Sequence, residues 1–270
     1  RSFHRAEVNI AWDERTLASS RWFHSRIGPL SMTMLRRYDE WRVSTSYSNG
    51  EQDIQREEGS LEDLPEGLEW QRWDCHDDDT RVRLTPALPS LPVIAKPNSS
   101  LSIAPGGSAL FYIGIPLNLV IHGECGGSLR KLISIPSETL SKTWHGDRSA
   151  GEVCYALKTR ARRYFDPGDW LDHDIIVSVD LHNASRDAFE FERLFLDLGH
   201  FSIFSYENRL WANACRIRIN ENDEEGNDIT YDAGPIAPAD SGREIAPARA
   251  GKTSRSTLRR AFASVIDVIH

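Results

Sequence analysis

The stretch KTWHGDRSAGEVCYALKTR holds the set of side chains in this sequence that most resembles a catalytic site. His145 and Asp147 stand two residues apart within it. An imidazole titrates near neutral pH, so His145 could act as a general base or metal ligand that Asp147 orients, with His122 or His173 as a further partner. The glycines and polar residues of 146–151 are also typical of a tight turn entering a strand. We favour the turn and keep a hydrolase or metal-dependent enzyme centred on His145 and Asp147 as the alternative.

Two further runs of acidic residues and histidine could bind a metal ion. Carboxylate oxygens suit Ca²⁺ or Mg²⁺, whereas cysteine and histidine suit Zn²⁺. Residues adjacent in sequence are poorly placed to surround one ion, and charged runs are usually solvated loops. The weak candidates are Cys75, His76 and Asp77 in DCHDDD, and Asp172, His173 and Asp174 in LDHDIIV. We expect surface residues at both places and no cofactor.

The composition is that of an ordinary soluble globular protein. Of its 270 residues, 40% are hydrophobic and 27% are charged. No run approaches the ~18 consecutive apolar residues of a membrane-spanning helix, so we expect no transmembrane segment. The net charge of −8 is uneven, because residues 51–79 hold twelve acids and two bases while residues 243–270 are mainly basic. A general nucleic-acid binder would be basic overall, so we expect no nucleic-acid partner.

The four cysteines indicate reduced thiols. None of them stands in a C-x-x-C pair, so neither a zinc ribbon nor a thioredoxin motif is supported. Cys154 and Cys215 lie in apolar alternations, where a cysteine usually acts as a small buried hydrophobe. We therefore expect a cytoplasmic location.

Strands must position all these candidates. About ten short stretches alternate between apolar and polar residues and are separated by turn residues, without a βαβ rhythm. This pattern predicts an all-β, mainly antiparallel protein with a β-sandwich or jelly-roll-like fold. The longest apolar run, residues 109–122, is expected to bend at Gly114 and Pro116, where the strand changes sheet.

The predicted organisation has three parts. Residues 1–29 form an N-terminal segment with a weak helical pattern near residues 13–25. Residues 30–242 form the β-sandwich domain, in which residues 51–79 are an acidic, poorly packed excursion. Residues 243–270 form a basic tail that ends in an amphipathic helix, because the apolar residues after Thr253 fall on one helical face.

The centre of the chain resembles a known family. The segments LPSLPVIAKPNSSLSIAPGGSALFYIGIPLNLVIHG and TWHGDRSAGEVCYA are similar to a prokaryotic group, domain-of-unknown-function family 432, over about residues 28–249. The shared features are a proline-punctuated lead-in, a strand that ends in a Pro-containing motif, and an aromatic-x-Gly segment running into Gly-Glu-x-Cys. The resemblance implies a bacterial, uncharacterised protein and assigns no catalytic residues.

The sequence thus favours a non-enzymatic binding or interaction module over an enzyme. The expected partner is a protein or a small ligand, contacted through the basic C-terminal helix. A third hypothesis is carbohydrate binding by an aromatic platform of exposed tryptophans. The candidates for that platform are Trp70, Trp73, Trp144 and Trp170.

Overall fold

The chain folds into β-strands joined by short loops. The computed structural model describes residues 12, 14–48, 57–76, 78–146, 151–220, 227–251 and 255–258. The strands, in chain order, are β1 Glu14–Thr16, β2 Arg21–Ile27, β3 Leu30–Arg36, β4 Glu40–Tyr47, β5 Glu57–Ser60, β6 Gln71–Asp74, β7 Arg81–Ala87, β8 Val93–Pro97, β9 Leu101–Ile103, β10 Ser108–Pro116, β11 Asn118–Cys125, β12 Ser128–Pro136, β13 Ser141–His145, β14 Glu152–Ala161, β15 Asp174–Asn183, β16 Phe189–Phe191, β17 Leu194–Leu196, β18 Ile203–Tyr206, β19 Arg209–Ala212, β20 Cys215–Ile219, β21 Asn227–Tyr231, β22 Arg243–Ala246 and β23 Arg255–Leu258. Within this described part the helices are single 3-10 turns, Leu61–Asp63, Pro167–Asp169 and Leu198–His200. The prediction of an all-β, mainly antiparallel protein is confirmed.

The chain divides into two compact units. The first is drawn from Arg1–Ala87, Pro116–Glu138 and Leu171–His173, and the second from Leu88–Ile115, Thr139–Trp170 and Asp174–His270. Neither unit coincides with the domain expected over residues 30–242.

The first unit contains two antiparallel sheets. One has the strand order β1-β7-β11-β12 and the other β5-β2-β3-β4-β6. Trp41 of β4 is fully buried and donates its indole N–H to the carbonyl oxygen of Glu124 in β11, at 2.8 Å. A Cβ at Gly123 would stand 2.9 Å from the same indole nitrogen, so glycine lets the two backbones approach this closely.

The acidic stretch is better ordered than the sequence suggested. Its described part supplies β5 and β6, which lie at the two ends of the five-stranded sheet and pair with β2 and β4. Charged residues suit these positions, because charge on an edge strand discourages pairing with other chains. Residues 51–56 and Asp77 lie outside the described residues.

The second unit contains three sheets, and parallel pairs occur here. The largest has the order β22-β18-β19-β15-β20-β21-β23, with β10 also paired to β15; the others are β13-β14-β8-β17 and β16-β9. Strand β15 runs parallel to β19 and β20, and β14 runs parallel to β8. An aromatic cluster with Trp170, Trp211 and Tyr112 at its centre forms part of the core.

The expected change of sheet in residues 109–122 is confirmed. The run divides into β10 and β11 at Leu117, and the two strands belong to different sheets. The proline-rich segment upstream contributes to the sheets, since Pro86 lies inside β7 opposite Leu119 and β8 is an inner strand.

Both predicted helices are wrong where the structure describes them. The segment near residues 13–25 forms β1 and most of β2, because β2 closes a hairpin with β3 through the two residues Gly28 and Pro29. At the C-terminus, β23 pairs with β21 in antiparallel register. Strand pairing outweighs the local helical pattern here, and residues 259–270 lie outside the described part.

The basic tail contributes to the fold through Arg249. Its guanidinium donates to the carbonyl oxygens of Leu88 and Pro89, at 2.6 and 2.8 Å. The tail is thereby fastened to the proline-rich segment 161 and 160 residues upstream.

Candidate functional site

His145, the leading catalytic candidate, is the last residue of β13. Its imidazole is buried and stacks on the ring of Phe195, with the ring centroids 4.5 Å apart and the planes 14° from parallel. Phe195 itself packs with Ile94 and the buried Cys154. The structure therefore gives His145 a packing role in a small apolar cluster. Asp147 lies outside the described residues, so its pairing with His145 stays a prediction.

The DCHDDD loop after β6 is organised around Asp79. This carboxylate is buried and accepts three backbone N–H bonds, from His76 at 2.8 Å, Gly126 at 2.9 Å and Gly127 at 3.1 Å. Burial raises the pKa of Asp79, but the three N–H donors outweigh it and hold that pKa below its usual range. The oxygens of Asp79 are committed to the backbone, which leaves them little capacity for a metal ion.

Arg36 supports the same loop from β3. Its side chain is fully buried and donates to the carbonyl oxygens of Asp79, His76 and Glu40. The guanidinium also lies 5.0 Å from the ring centroid of Trp41. A buried cation requires several acceptors, and three carbonyls with an aromatic face supply them.

We call residues 75–80 the Asp79 loop; Cys75 is its first residue, and Cys125 ends β11, next to Gly126. Both thiols are half-buried, and burial raises the pKa of each. The positive charge of the Arg36 guanidinium opposes this rise in the pKa of both thiols. Nothing in the sequence indicates that Cys75 and Cys125 lie near the same loop, because 50 residues separate them.

His173, from the second predicted metal run, is packed under the β2–β3 turn. Its Nε2 lies 3.9 Å from Oε2 of Glu138, and its ring lies against Gly28. Burial lowers the pKa of His173, while the charges of Glu138 and Asp172 oppose the shift. Asp174 is buried at the start of β15 and Asp172 is exposed.

The described residues do not assemble a metal site from these candidates. Within the described ranges, no group of three or more His, Cys, Asp and Glu side chains could hold an ion. His122 is hydrogen-bonded through its Nδ1 to the hydroxyl of Thr85, at 3.1 Å. Burial lowers the pKa of His122, and the charges of Arg83 and Lys131 lower it further.

The tryptophans expected to form a carbohydrate platform have different environments. Trp170 is only 1% exposed, whereas Trp70 and Trp73 are half-buried. Trp144 is 51% exposed. A planar platform of four exposed indoles is excluded by the burial of Trp170.

Trp144 belongs to an exposed apolar surface. In the β13–β14 hairpin it lies opposite Val153, which is 41% exposed, and Lys142 lies opposite the half-buried Tyr155. Paired residues in an antiparallel ladder share a face, as do residues two apart on one strand. We call Lys142, Trp144, Val153 and Tyr155 the hairpin face.

The comparisons with known proteins place the chain in a family. No described helix is long and apolar enough to cross a membrane. No curated protein and no solved structure matches the chain. A family model described as "Protein of unknown function (DUF432)" matches residues 11–267, a longer stretch than the resemblance in the sequence indicated. The match spans nearly the whole chain, which therefore belongs to the DUF432 family.

Proposed function

We propose that the protein is a non-enzymatic interaction module that binds a protein partner through the hairpin face. The observation that carries the proposal is the exposed cross-strand pair of Trp144 and Val153. Large apolar side chains that are exposed next to one another mark interaction sites, and tryptophan is the residue most enriched among those that dominate binding energy.

The position of the hairpin supports a protein partner. β13 ends the sheet order β13-β14-β8-β17, so its outer edge can accept hydrogen bonds from an added strand. Lys142 places a cation beside the indole on the same face. The matching surface would be apolar at its centre and acidic at its margin.

The catalytic hypothesis has less support than the binding hypothesis. The ring of His145 is occupied by its stacking contact with Phe195, and Asp79 is occupied by backbone donors. Carbohydrate binding would have to rely on Trp144 without the buried Trp170.

We further propose that the protein is bacterial and cytoplasmic. The four free cysteines support a cytoplasmic location, because such thiols suit a reducing compartment. We also propose β-sandwich packing with jelly-roll-like connections for the strands, supported by the contact of Trp41 across two sheets.

Site-specific photocrosslinking tests the proposed surface. The photoreactive residue p-benzoylphenylalanine is placed at position 144 or, as a control, at position 164, where Tyr164 is 81% exposed. Both full-length variants are irradiated in cells of the source organism, and adducts are identified by mass spectrometry. We expect a protein adduct at position 144 that position 164 does not give.

Binding of the purified adduct partner then provides the decisive measurement. We expect Trp144→Ala to weaken the affinity by about tenfold or more, as for a central interface tryptophan, and Tyr164→Ala to change it less than about twofold. Circular dichroism checks that both variants are folded. Equal effects of the two substitutions, a self-adduct or an adduct to polysaccharide would each contradict a distinct protein partner at this face.

A further inference from the structure

Two cysteines distant in sequence are brought together by one carboxylate oxygen. The backbone nitrogen of His76, directly after Cys75, lies 2.8 Å from Oδ2 of Asp79. The backbone nitrogen of Gly126, directly after Cys125, lies 2.9 Å from the same oxygen. The two nitrogens are therefore less than about 6 Å apart, because each is within one hydrogen bond of Oδ2.

This geometry keeps the Cα atoms of Cys75 and Cys125 within about 11 Å of each other, because each Cα is one peptide unit from its anchored nitrogen. Bridged cysteines have Cα atoms about 4.4–6.8 Å apart, so any excess distance is closed by movement of the two turns when the bond forms. Arg36 donates to the carbonyl oxygen of His76, the residue directly after Cys75. The arrangement is held from both sides, by a buried anion and by a buried cation.

The other two cysteines have different surroundings. Cys154 is 0% exposed and Cys215 is 1% exposed, so the core shields both sulfurs from solvent. Cys75 and Cys125 are half-buried. The chain thus carries two thiols that a small oxidant can approach and two that serve as internal controls.

We propose that Cys75 and Cys125 form a reversible redox pair that a peroxide converts into an intramolecular disulfide. This modification site is independent of the hairpin face and of the proposed interaction function. The bond would link the end of β6 to the end of β11, strands of two different sheets in the first unit.

The reaction balances with hydrogen peroxide as the oxidant. The Cys75 thiol loses its proton and the thiolate attacks one peroxide oxygen. The O–O bond breaks, Cys75 becomes a sulfenic acid, and the departing hydroxide takes up the released proton to leave as the first water. The Cys125 thiol then attacks the Cys75 sulfur, the S–O bond breaks, and the second water leaves. Two thiols lose two electrons in total, and one peroxide gains them. Arg36 donates to the carbonyl oxygen of His76, the residue after Cys75, and a cation in this position favours the thiolate of Cys75 as the attacking species.

Peptide mapping of the full chain after exposure to hydrogen peroxide tests the proposal. We expect two of the four thiols to be lost and one disulfide peptide to join Cys75 to Cys125, with the chain remaining monomeric on a non-reducing gel. Dithiothreitol should restore both thiols. Survival of all four thiols in excess peroxide, or oxidation without the Cys75–Cys125 peptide, would overturn the proposal.

Single serine substitutions test the order of the two steps. Serine is close in size to cysteine, and both sites are half-buried, so the fold should persist. In Cys125→Ser, the sulfenic acid at Cys75 has no second thiol to attack it and should be trapped by dimedone. In Cys75→Ser, Cys125 should be labelled at least about tenfold more slowly, since Arg36 donates to the residue after Cys75 and not to the residue after Cys125. Equal labelling in the two variants would contradict the assignment of Cys75 as the attacking residue.

Discussion

At the turn between β2 and β3, the absence of a side chain at Gly28 lets the loop close over His173. Gly28 has a φ of +56°, a conformation that residues with a Cβ adopt only with strain. A Cβ at this position would also stand 2.2 Å from Nδ1 of His173, far inside contact distance. Both the backbone conformation and the neighbouring ring therefore require glycine.

We predict that Gly28→Ala destabilises the protein by about 2–4 kcal/mol, of which roughly 1–2 kcal/mol comes from the left-handed conformation and the rest from the clash with His173. Gly67→Ala is the matched control, because Gly67 has a φ of +77° and no atom within 4 Å of its added Cβ. Urea unfolding measures both free energies. Equal decreases in the free energy of unfolding of the two variants would show that the His173 ring moves aside with little energetic cost.

Burial of individual residues was partly predictable. The alternation around Cys154 and Cys215 predicted buried thiols, and both side chains are buried. Nothing in the sequence distinguished Arg36 from the surface arginines, although it is fully buried. Its acceptors are backbone carbonyls of a loop 40 or more residues away, and such contacts leave no local pattern.

At the scale of elements, the Asp79 loop connects two sheet ends. The carboxylate of Asp79 links the loop after β6 to the turn between β11 and β12 by bonds to Gly126 and Gly127. Hydrogen bonds to a buried charge contribute more than neutral ones, so one side chain has a large influence on the position of the β11–β12 hairpin.

We predict that Asp79→Asn costs about 1–3 kcal/mol, because the amide NH₂ would face a backbone N–H that now has an acceptor. Asp78→Asn is the control, since the Asp78 side chain is exposed. This substitution should change the free energy of unfolding by less than about 0.5 kcal/mol. Urea unfolding of both variants at neutral pH provides the comparison, and a smaller loss for Asp79→Asn than for Asp78→Asn would contradict the role of the loop.

The same variant has a defined pH dependence. The folded-state pKa of Asp79 lies below the ordinary value of 3.8, so its stabilisation is fully present above that value. It is lost as the pH falls through the lowered pKa. The stability difference between the native protein and Asp79→Asn should therefore shrink in strong acid.

The sequence predicts strands well where apolar and polar residues alternate. It predicts them less well where pairing with a distant strand determines the structure. The bend predicted within residues 109–122 corresponds to the break between β10 and β11 at Leu117. The segment near residues 13–25 and the C-terminal segment carried helical patterns, yet their described parts pair with β3, β5, β7 and β21. Partners distant in sequence fix these strands, and local propensity contains no information about them.

At the scale of the whole molecule, each unit is assembled from separated parts of the chain. The first unit uses three segments, and β7 in its four-stranded sheet needs β11 as a neighbour. Ala87 lies opposite Asn118 in that pair, so the ends of two of the segments are adjacent.

We predict that residues 12–87 joined to residues 118–138 by an Asn-Gly turn form an independently folded protein, because two residues suffice to close a hairpin between paired strand ends. Residues 12–87 alone are the control and should not fold, since β7 then lacks β11 and the contact of Trp41 with Glu124 is lost. A cooperative urea transition and dispersed amide resonances are expected for the fused chain only. A fused chain that behaves like residues 12–87 would show that the first unit depends on the rest of the protein.

The segmented first unit also sets an order of events during translation. Ribosomes add about 5–20 residues per second, so about 2–8 seconds pass between the synthesis of Ala87 and that of Gly127, which follows the end of β11. Until then, β7 has no complete β11 to pair with, and the Asp79 carboxylate lacks the N–H donors of Gly126 and Gly127. The nascent chain consequently spends those seconds with an open apolar strand edge, a form that chaperones recognise and that a slower ribosome would prolong.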